Sequence, residues 1–424
     1  MKNIINKLMK FLDASHSEFN AAQNIKEILL GRDFIELNEK EKFELSPDKN
    51  YFLLRNDNSV IAFKFPKTYI SKMGFNICAS HLDSPTLKLK MGKESINNGY
   101  HRVNVEVYGG TILSSWLDRP LSVAGRVIVK VDNQLVTKFI DIKSPILIIP
   151  NVCIHFNREI NKGFAYNPEV DMKPVVSLGN EENSILEAIS KELNVSKDLI
   201  IAYDLETYNY TNSMIGGLNK ELLMSQRIDN LESSFLSLEA FINNDCGSGI
   251  SVYASFNSEE IGSRTLSGAD SDFLKSVLIR IYDSLGYTNA QFLQTLANSF
   301  MLSVDNGHAV HPNHPEYSDP QNLVYLNKGP IIKFNSNMAY LSDAASSAKI
   351  IDLCKINNIP YQVFYNKSDV RGGSTLGTLS VSHLGIQTCD IGLPQLAMHS
   401  SYETAGANDI EPMCKLIEAF YSME

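Results

Sequence analysis

The sequence predicts an α/β fold: an open mixed sheet flanked by helices and interrupted by an inserted β-rich domain. Short apolar strands alternate with amphipathic helices at both ends of the chain, which is typical of an open α/β sheet. Between residues 85 and 225 the pattern changes to closely spaced short strands and turns. We therefore expect residues 1–84 and 226–424 to form two parts of one domain, and residues 85–225 to form the insertion.

The first segment opens with helices and continues with strands. Apolar residues recur at helical spacing over 4–12 and 19–30, where Ser17 is a candidate N-cap and Gly31 a candidate C-cap of the second helix. Runs rich in β-branched and aromatic residues, bounded by Asn, Lys or Gly, then predict strands. These runs are 51–54, 60–65 and 75–79.

The insertion and the last segment follow in order. In the insertion we expect strands at 103–107, 127–131 and 135–142, with turns at Gly109-Gly110 and Asp132-Asn133. In the last segment the alternation of helix and strand resumes. The predicted elements there are helix 231–242, strand 250–256, helix 273–285, strand 301–304, strand 331–334, helix 344–356, strand 361–365 and helix 410–421.

Composition excludes several classes of protein. The 424 residues include 38 Lys+Arg and 48 Asp+Glu, a net charge of −10, which argues against a nucleic-acid partner. No apolar stretch approaches the length of a membrane helix, so we expect neither a membrane span nor a secretory signal. The six cysteines are far apart and form no Cys-x-x-Cys pair. A reducing cytoplasm is the expected location.

Candidate ligands lie where an open α/β sheet places its functional residues, at the carboxyl ends of predicted strands. His81 and Asp83 follow the strand at 75–79, and Asp305 follows the strand at 301–304. The remaining candidates are Glu259 and Glu260 after the strand at 250–256, Asp229 before a helix, and His399 after an apolar run near 391–396.

This set of imidazoles and carboxylates, without cysteine, suits a pair of divalent ions such as Zn²⁺, Mn²⁺ or Co²⁺. A two-metal hydrolase needs a bridging carboxylate and a separate general base, and the adjacent pair Glu259-Glu260 fits two of the required roles. Simpler interpretations stay open at this point: a hydrogen-bonded structural histidine, a solvated Glu pair, or an N-cap role for Asp229. His308 and His311 are either ligands or residues that shape their loop.

Eight motifs, taken together and in order, resemble the aspartyl aminopeptidases, the aminopeptidase I family of dinuclear zinc exopeptidases. The resemblance covers nearly the whole chain. The motifs are Ser80-His-Leu-Asp-Ser-Pro, Trp116-Leu-Asp-Arg-Pro-Leu-Ser-Val-Ala-Gly-Arg, Ser225-Gln-Arg-Ile-Asp-Asn-Leu, Ser258-Glu-Glu-Ile-Gly-Ser, Ser303-Val-Asp-Asn-Gly-His-Ala-Val-His-Pro-Asn, Leu326-Asn-Lys-Gly-Pro-Ile-Ile-Lys, Gly373-Ser-Thr-Leu-Gly and Met398-His-Ser.

The resemblance implies a metallo-aminopeptidase with two zinc ions, although Mn²⁺ or Co²⁺ suit the same ligands. Asp229 would bridge both ions, with His81 and Asp305 completing one site and Glu260 and His399 completing the other. The substrates would be peptides with a free N-terminus, because the α-amino group is held at the site.

The resemblance also implies the remaining roles. Glu259 would be the general base, and Asp83 would hydrogen-bond His81. His155 would reach the active site of a neighbouring subunit, help bind the substrate and stabilise the tetrahedral intermediate. The insertion would then be a dimerisation lobe, and dimers would assemble toward a dodecamer.

Substrate preference is the least determined property. Lys333 occupies the family position associated with an acidic first residue, and Met398 belongs to the last motif, so we expect a preference for Asp or Glu. Departures at Asn257-Ser258, Pro120, Thr378 and Tyr402 leave a neutral, Leu-like preference open. Two further alternatives are another exopeptidase or deacylase on the same fold, and a catalytically idle metal-binding scaffold.

Overall fold

The computed structural model describes residues 2–67, 74–92, 94–179, 184–370 and 372–423. Within these ranges the chain has the expected mixed α/β fold. The helices, in chain order, are α1 (Lys2–Leu12), α2 (Glu18–Leu30), α3 (Pro168–Asp171), α4 (Ser184–Leu193), α5 (Ile228–Asn243), α6 (Phe273–Ser284), α7 (Asn289–Ala297), α8 (Ala344–Ile356), α9 (Gly377–Leu384) and α10 (Ile410–Tyr421). None of these described helices is long and apolar enough to cross a membrane.

The helices confirm most of the predicted periodicity. Both α8 and α10 begin and end at the predicted residues. The predicted caps of α2 are also present: the hydroxyl oxygen of Ser17 accepts the backbone N–H of Asn20, and Gly31 follows the last residue of the helix. Helices α7 and α9 are not predicted, because at 9 and 8 residues they are too short for an apolar helical repeat to stand out.

The strands of the described residues form four sheets. In chain order they are β1 (Ile35–Glu36), β2 (Tyr51–Arg55), β3 (Ser59–Lys64), β4 (Phe75–His81), β5 (Thr86–Leu89), β6 (Ser95–Asn97), β7 (Tyr100–Arg102), β8 (Val105–Tyr108), β9 (Leu121–Val131), β10 (Gln134–Asp141), β11 (Val175–Leu178), β12 (Ile200–Asn209), β13 (Met214–Gly216), β14 (Leu222–Ser225), β15 (Ile250–Phe256), β16 (Phe300–Val304), β17 (Gly307–His308), β18 (Ile331–Phe334), β19 (Gln362–Tyr365), β20 (Gln387–Gly392), β21 (Pro394–Leu396) and β22 (Glu403–Gly406). Strands β15 and β18 match their predicted bounds, whereas β9 begins at Leu121 rather than at residue 127.

The largest sheet has nine strands in the order β1-β2-β3-β15-β4-β16-β20-β18-β19. Its four neighbouring strands β15, β4, β16 and β20 run parallel to one another. The sheet is mixed because β3 is antiparallel to β15 on one side and β18 is antiparallel to β20 on the other. The carboxyl ends of the four parallel strands therefore share one edge.

Alternation along the strands divides the core between the two faces of this sheet. In β3, Val60 and Ala62 join one apolar cluster, whereas Ile61 and Phe63 join the other. Such alternation is the two-residue period of a strand with both faces buried. Helices α1, α2, α5, α8 and α10 cover the first face, and α6, α7 and α9 cover the second.

The insertion has an apolar core of its own. That core contains residues between Leu87 and Leu205 together with the single tryptophan, Trp116. Its main sheet has the order β10-β9-β12-β5-β8, and the predicted turn Asp132-Asn133 joins β9 to β10 with both residues at positive φ. The last two strands before residue 226 belong instead to another sheet, in which β13 pairs with β14 and β14 pairs with β22 of the final segment. The domain boundaries at residues 84 and 225 stay a prediction.

Candidate metal centre

The candidate ligands gather at the carboxyl-terminal edge of the nine-stranded sheet. His81 is the last residue of β4, and Asp305 follows β16 directly. His399 follows β21, where its backbone has a positive φ of 68°. Asp229 lies near the start of α5 but is not helical, with φ −81° and ψ 107°. Strand order and chain reversals therefore bring together residues that are far apart in the sequence.

A tight turn after β15 presents the two adjacent glutamates. Ser258 at φ 65° and Gly262 at φ 93° flank a single 3-10 turn, Glu259–Ile261. The backbone N–H of Glu259 donates to Asp83 Oδ1, and that of Glu260 donates to Asp83 Oδ2, each at 3.1 Å. One carboxylate thus fixes the turn that carries both glutamates.

Asp229 lies between the two histidines. Its Oδ1 is 3.6 Å from His81 Nε2, and its Oδ2 is 3.6 Å from His399 Nε2. Asp305 Oδ1 is also 3.6 Å from His81 Nε2, and Glu260 Oε2 is 3.3 Å from His399 Nε2. The ligand atoms of His81, Asp229 and Asp305 lie within 4.8 Å of one another, as do those of Asp229, Glu260 and His399. Two clusters of ligands therefore share one carboxylate.

Hydrogen bonds to main-chain carbonyls orient both imidazoles. His81 Nδ1 is 3.0 Å from the carbonyl oxygen of Asp83, and His399 Nδ1 is 3.2 Å from that of Gly110. A carbonyl can only accept, so each Nδ1 is the donor and each Nε2 faces the carboxylates. This is the usual arrangement for a histidine that binds a metal through Nε2.

Asp83 supports the centre, and Tyr108 of the insertion holds Asp83 in turn. The carboxylate of Asp83 is 3.5 Å from His81 Nδ1, whereas the carbonyl oxygen of Asp83 is 3.0 Å from the same nitrogen. The carboxylate accepts a hydrogen bond from the hydroxyl of Tyr108 at 2.8 Å. Asp83 therefore orients His81 mainly through its backbone and holds the glutamate turn through its side chain. The sequence analysis does not identify Tyr108, because this residue lies in β8 of the insertion and outside the eight motifs.

Burial and crowding perturb the acid–base properties of the centre. Burial raises the pKa of Glu259, and the charges of Asp305 and Asp83 raise it further against the opposing effect of His81. Burial alone would lower the pKa of His81, but the neighbouring carboxylates of Asp305, Asp83 and Glu259 raise it well above its usual value. These shifts reflect a concentration of carboxylates that favours positive charge.

The donor set fits divalent metal ions. Asp229 Oδ1 is buried and accepts no hydrogen bond from the residues that the structure describes. A carboxylate oxygen and an imidazole lone pair attract each other only through a shared proton or cation, and an unpaired buried carboxylate is costly. A cation shared by Asp229 and the histidines satisfies both groups, and nitrogen and oxygen ligands of this kind accept Zn²⁺, Mn²⁺ or Co²⁺.

Lys333 lies in β18 beneath the centre, with only 2 % of its surface exposed. Its ammonium donates to the carbonyl oxygen of Asn306 at 3.0 Å and lies 4.0 Å from Asp305 Oδ2. Burial alone would raise the pKa of Asp305, but the charge of Lys333 together with the interactions with His81 and His399 lowers that pKa. Met398, which is half-buried, directly precedes His399.

The other candidate histidines are not members of these ligand clusters. His155 lies on an exposed loop of the insertion. His308 and His311 line a groove of about 320 Å³ whose wall also includes Ala397, two residues before His399. Among the described residues, the clusters with metal-binding geometry do not include these three histidines.

Comparisons with known proteins agree with the geometry. A family model described as "Aminopeptidase I zinc metalloprotease (M18)" matches residues 11–421. The "Probable M18 family aminopeptidase 2" of Clostridium acetobutylicum is 43% identical over 424 residues, covering 98% of each chain.

Solved structures give the same result. The structure described as "Cryo-EM structure of the Ape4 and Nbr1 complex" superposes with a TM-score of 0.96 at 33% identity, covering 99% of this chain and 86% of that one. The "S. cerevesiae mApe1 dodecamer" superposes with a TM-score of 0.88 at 25% identity, covering 99% and 96% of the two chains.

Proposed function

We propose that this chain, which belongs to the aminopeptidase I (M18) family of zinc metalloproteases, uses a centre of two divalent ions. At that centre it would remove the N-terminal residue of peptides. The observation that carries this proposal is the position of Asp229, whose two oxygens each face a different histidine at 3.6 Å. That geometry suits a carboxylate bridging two ions.

The proposed ligands divide into two sets that share Asp229. His81 and Asp305 would hold one ion, and Glu260 and His399 the other. Ions held by these residues would supply Lewis-acid chemistry, which would lower the pKa of a bound water molecule and polarise the carbonyl group of the scissile peptide bond. The nitrogen and oxygen donors support zinc as the metal, with Mn²⁺ or Co²⁺ as alternatives.

Glu259 is proposed as the general base. It lies in a cluster with His81 and Glu260, but it is not a member of either cluster that contains Asp229. Its raised pKa suits a group that takes a proton from the attacking water and passes it to the leaving amine. Asp83 maintains this geometry, because it accepts the backbone N–H groups of both glutamates.

We propose a preference for Asp or Glu at the first position of the substrate, with Lys333 as the cation that attracts it and Met398 beside it. The buried ammonium at the base of the centre supports this preference. A second candidate is a neutral, Leu-like preference, which the existing contacts of Lys333 with Asn306 and Asp305 favour, because they already use its charge.

We further propose that the protein forms homo-oligomers, dimers that assemble toward a dodecamer like that of the S. cerevesiae relative. The insertion exposes large apolar side chains, including 87% of Phe156 and 75% of Leu178. Exposed apolar surface of this kind is typical of an interface. His155, on the same exposed loop as Phe156, would then act in the site of a neighbouring subunit. The cytoplasmic location stays a prediction from the spacing of the cysteines.

Hydrolysis of matched aminoacyl-p-nitroanilides tests the activity and the preference together. The set contains Asp, Glu, Leu, Ala and Lys substrates and an N-acetylated control, each with and without a chelator. Chelator-sensitive cleavage restricted to Asp and Glu supports both proposals, and a preference for Leu supports the second candidate. Cleavage of the acetylated control would instead indicate a deacylase.

Glu259→Gln tests the mechanism. We expect kcat to fall by about 10²–10⁴ while two ions stay bound, because the amide preserves the shape of the side chain but cannot accept the proton. Full activity of this variant would contradict the assigned base. A wild-type protein that binds both ions and cleaves no substrate would favour the idle scaffold.

A further inference from the structure

The side chain of Glu403 joins the backbones of two proposed ligands. Its Oε2 accepts the backbone N–H of Asp229 at 3.0 Å, and its Oε1 accepts that of His399 at 2.7 Å. Glu403 begins β22 and is only 2 % exposed. One buried carboxylate therefore links the start of α5, the loop after β21 and β22.

Both ligands lie on irregular backbone that needs such support. Asp229 has non-helical φ and ψ angles inside α5, so helical hydrogen bonds do not fix its position. His399 and Ala397 both have positive φ, a conformation that non-glycine residues adopt only where the surroundings impose it. The position of each ligand therefore depends on the contacts of its backbone.

The same carboxylate is connected to a third ligand. Gln395 donates to Glu403 Oε1 at 3.1 Å and accepts a hydrogen bond from the side-chain amide of Asn306 at 2.8 Å. Asn306 directly follows Asp305, and its carbonyl oxygen accepts Lys333. A continuous hydrogen-bonded network thus joins the backbones of Asp229 and His399 to the residue that follows Asp305.

We propose that Glu403 is a positioning residue that fixes Asp229 relative to His399, and thereby sets the affinity of the centre for the ion that these two ligands share. This inference rests on the proposed dinuclear centre. A general structural role would only satisfy two buried N–H groups. A positioning role makes the affinity for one ion depend on Glu403, because the loss of outer hydrogen-bond partners of metal ligands typically weakens binding about 10- to 100-fold.

The test compares Glu403→Gln with a matched control, Asp409→Asn. Asp409 is also buried and also accepts two backbone N–H groups, those of Asn327 and Gly329. Neither of these residues is a proposed ligand. In each variant the amide keeps the shape of the side chain but presents an NH₂ group to one backbone N–H. Each variant therefore disturbs hydrogen bonds to two buried backbone N–H groups, and only the first disturbs them at the centre.

The measurements on the full-length protein are zinc affinity by titration against a competing chelator, the visible absorption of the Co²⁺-loaded protein, and Tm. For Glu403→Gln we expect one of the two ions to bind about 10- to 100-fold more weakly, with a changed Co²⁺ spectrum. For Asp409→Asn we expect a lower Tm with both affinities and the spectrum unchanged.

Wild-type affinity and spectrum in Glu403→Gln, with a loss of Tm like that of Asp409→Asn, would overturn the positioning role. If Glu403→Gln does not fold, Glu403→Asp gives the same test, because its carboxylate is one methylene too short to reach both N–H groups. Failure of the dinuclear proposal is distinguishable, because wild-type protein would then not bind two ions.

Discussion

Replacing Arg227 by methionine would break a buried ion pair between the insertion and the strand-to-helix junction that precedes Asp229. Arg227 Nη1 donates to Glu206 Oε1 at 2.7 Å, and its Nη2 donates to the carbonyl oxygen of Leu82 at 3.0 Å. The arginine side chain is 6 % exposed and that of Glu206 is 3 % exposed. The next cation, Lys88, is 3.9 Å from Glu206 and pairs mainly with Glu18.

The expected loss at neutral pH is about 3–5 kcal/mol, the usual cost of removing one partner from a buried pair. Methionine retains the aliphatic volume of the arginine, so the loss comes from Glu206 and the Leu82 carbonyl, which are left unpaired. Burial raises the pKa of Glu206 above its ordinary value of 4.5, and the charge of Glu18 raises it further, against the opposing charge of Arg227.

Without Arg227 this pKa rises more. The folded state then binds more protons than the unfolded state from about pH 4.5 up to the raised pKa. Stability conferred by the protonated carboxyl is therefore lost as the pH rises through this window. In the wild type the pKa of Glu206 is already raised to about 8, so the two proteins differ in the protonation of this carboxyl only above that pH. The destabilisation of Arg227→Met should therefore be larger near about pH 9 than near about pH 5.

Urea denaturation followed by the fluorescence of Trp116 measures this effect, because the single tryptophan is buried in the insertion core. A chelator in every sample removes the contribution of bound metal. The control is Lys197→Met, which breaks an exposed pair in the same insertion (44 % and 50 % exposed) and should cost less than about 1 kcal/mol. A loss of less than about 1 kcal/mol in Arg227→Met, or an equal loss at both pH values, would refute the reasoning.

Three further outcomes are expected. Tyr108→Phe removes the hydroxyl that donates to Asp83 and should lower kcat/KM by up to about tenfold without loss of metal. Steady-state kinetics and metal analysis measure these two effects, and unchanged kinetics would contradict the role of Tyr108. Phe241→Ala opens a cavity beside Tyr253 and Tyr421 and should lower the free energy of unfolding, measured by urea denaturation, by about 3–5 kcal/mol. The control Leu293→Ala, at a half-exposed side chain, should lower it much less. Equal losses in the two variants would be inconsistent with the described core. Removal of metal by a chelator should lower the Tm measured by calorimetry, because an ion present at about 100 times its Kd stabilises the folded state by about 2.7 kcal/mol. An unchanged Tm would contradict metal binding at the centre.

The parallel centre of the large sheet is predictable from the sequence because its strands are buried on both faces and so appear as short continuous apolar runs. The run at 250–256 gives β15 its correct bounds. Because polar residues follow such runs directly, the sequence alone assigns His81, Glu259 and Asp305 to one edge of the sheet. That edge is where the fold brings their side chains together.

The supporting residues could not be predicted in the same way. Glu403 reaches Asp229 because β22 pairs with β14, a contact between segments far apart in the chain. Tyr108 reaches Asp83 from the insertion, and nothing in the local sequence distinguishes it from other tyrosines in strands. The role of Asp83 shows the same limit: the resemblance implies a hydrogen bond between Asp83 and His81, and only the structure shows that the backbone carbonyl of Asp83 makes it at 3.0 Å. Such contacts depend on tertiary packing rather than on local pattern.

Anomalous X-ray diffraction at the zinc edge, from crystals of the zinc-loaded protein, tests the central claim most directly. Two anomalous peaks are expected, one between Asp229, His81 and Asp305 and the other between Asp229, Glu260 and His399. A single peak, or two peaks that do not share Asp229, would contradict the bridged two-ion centre.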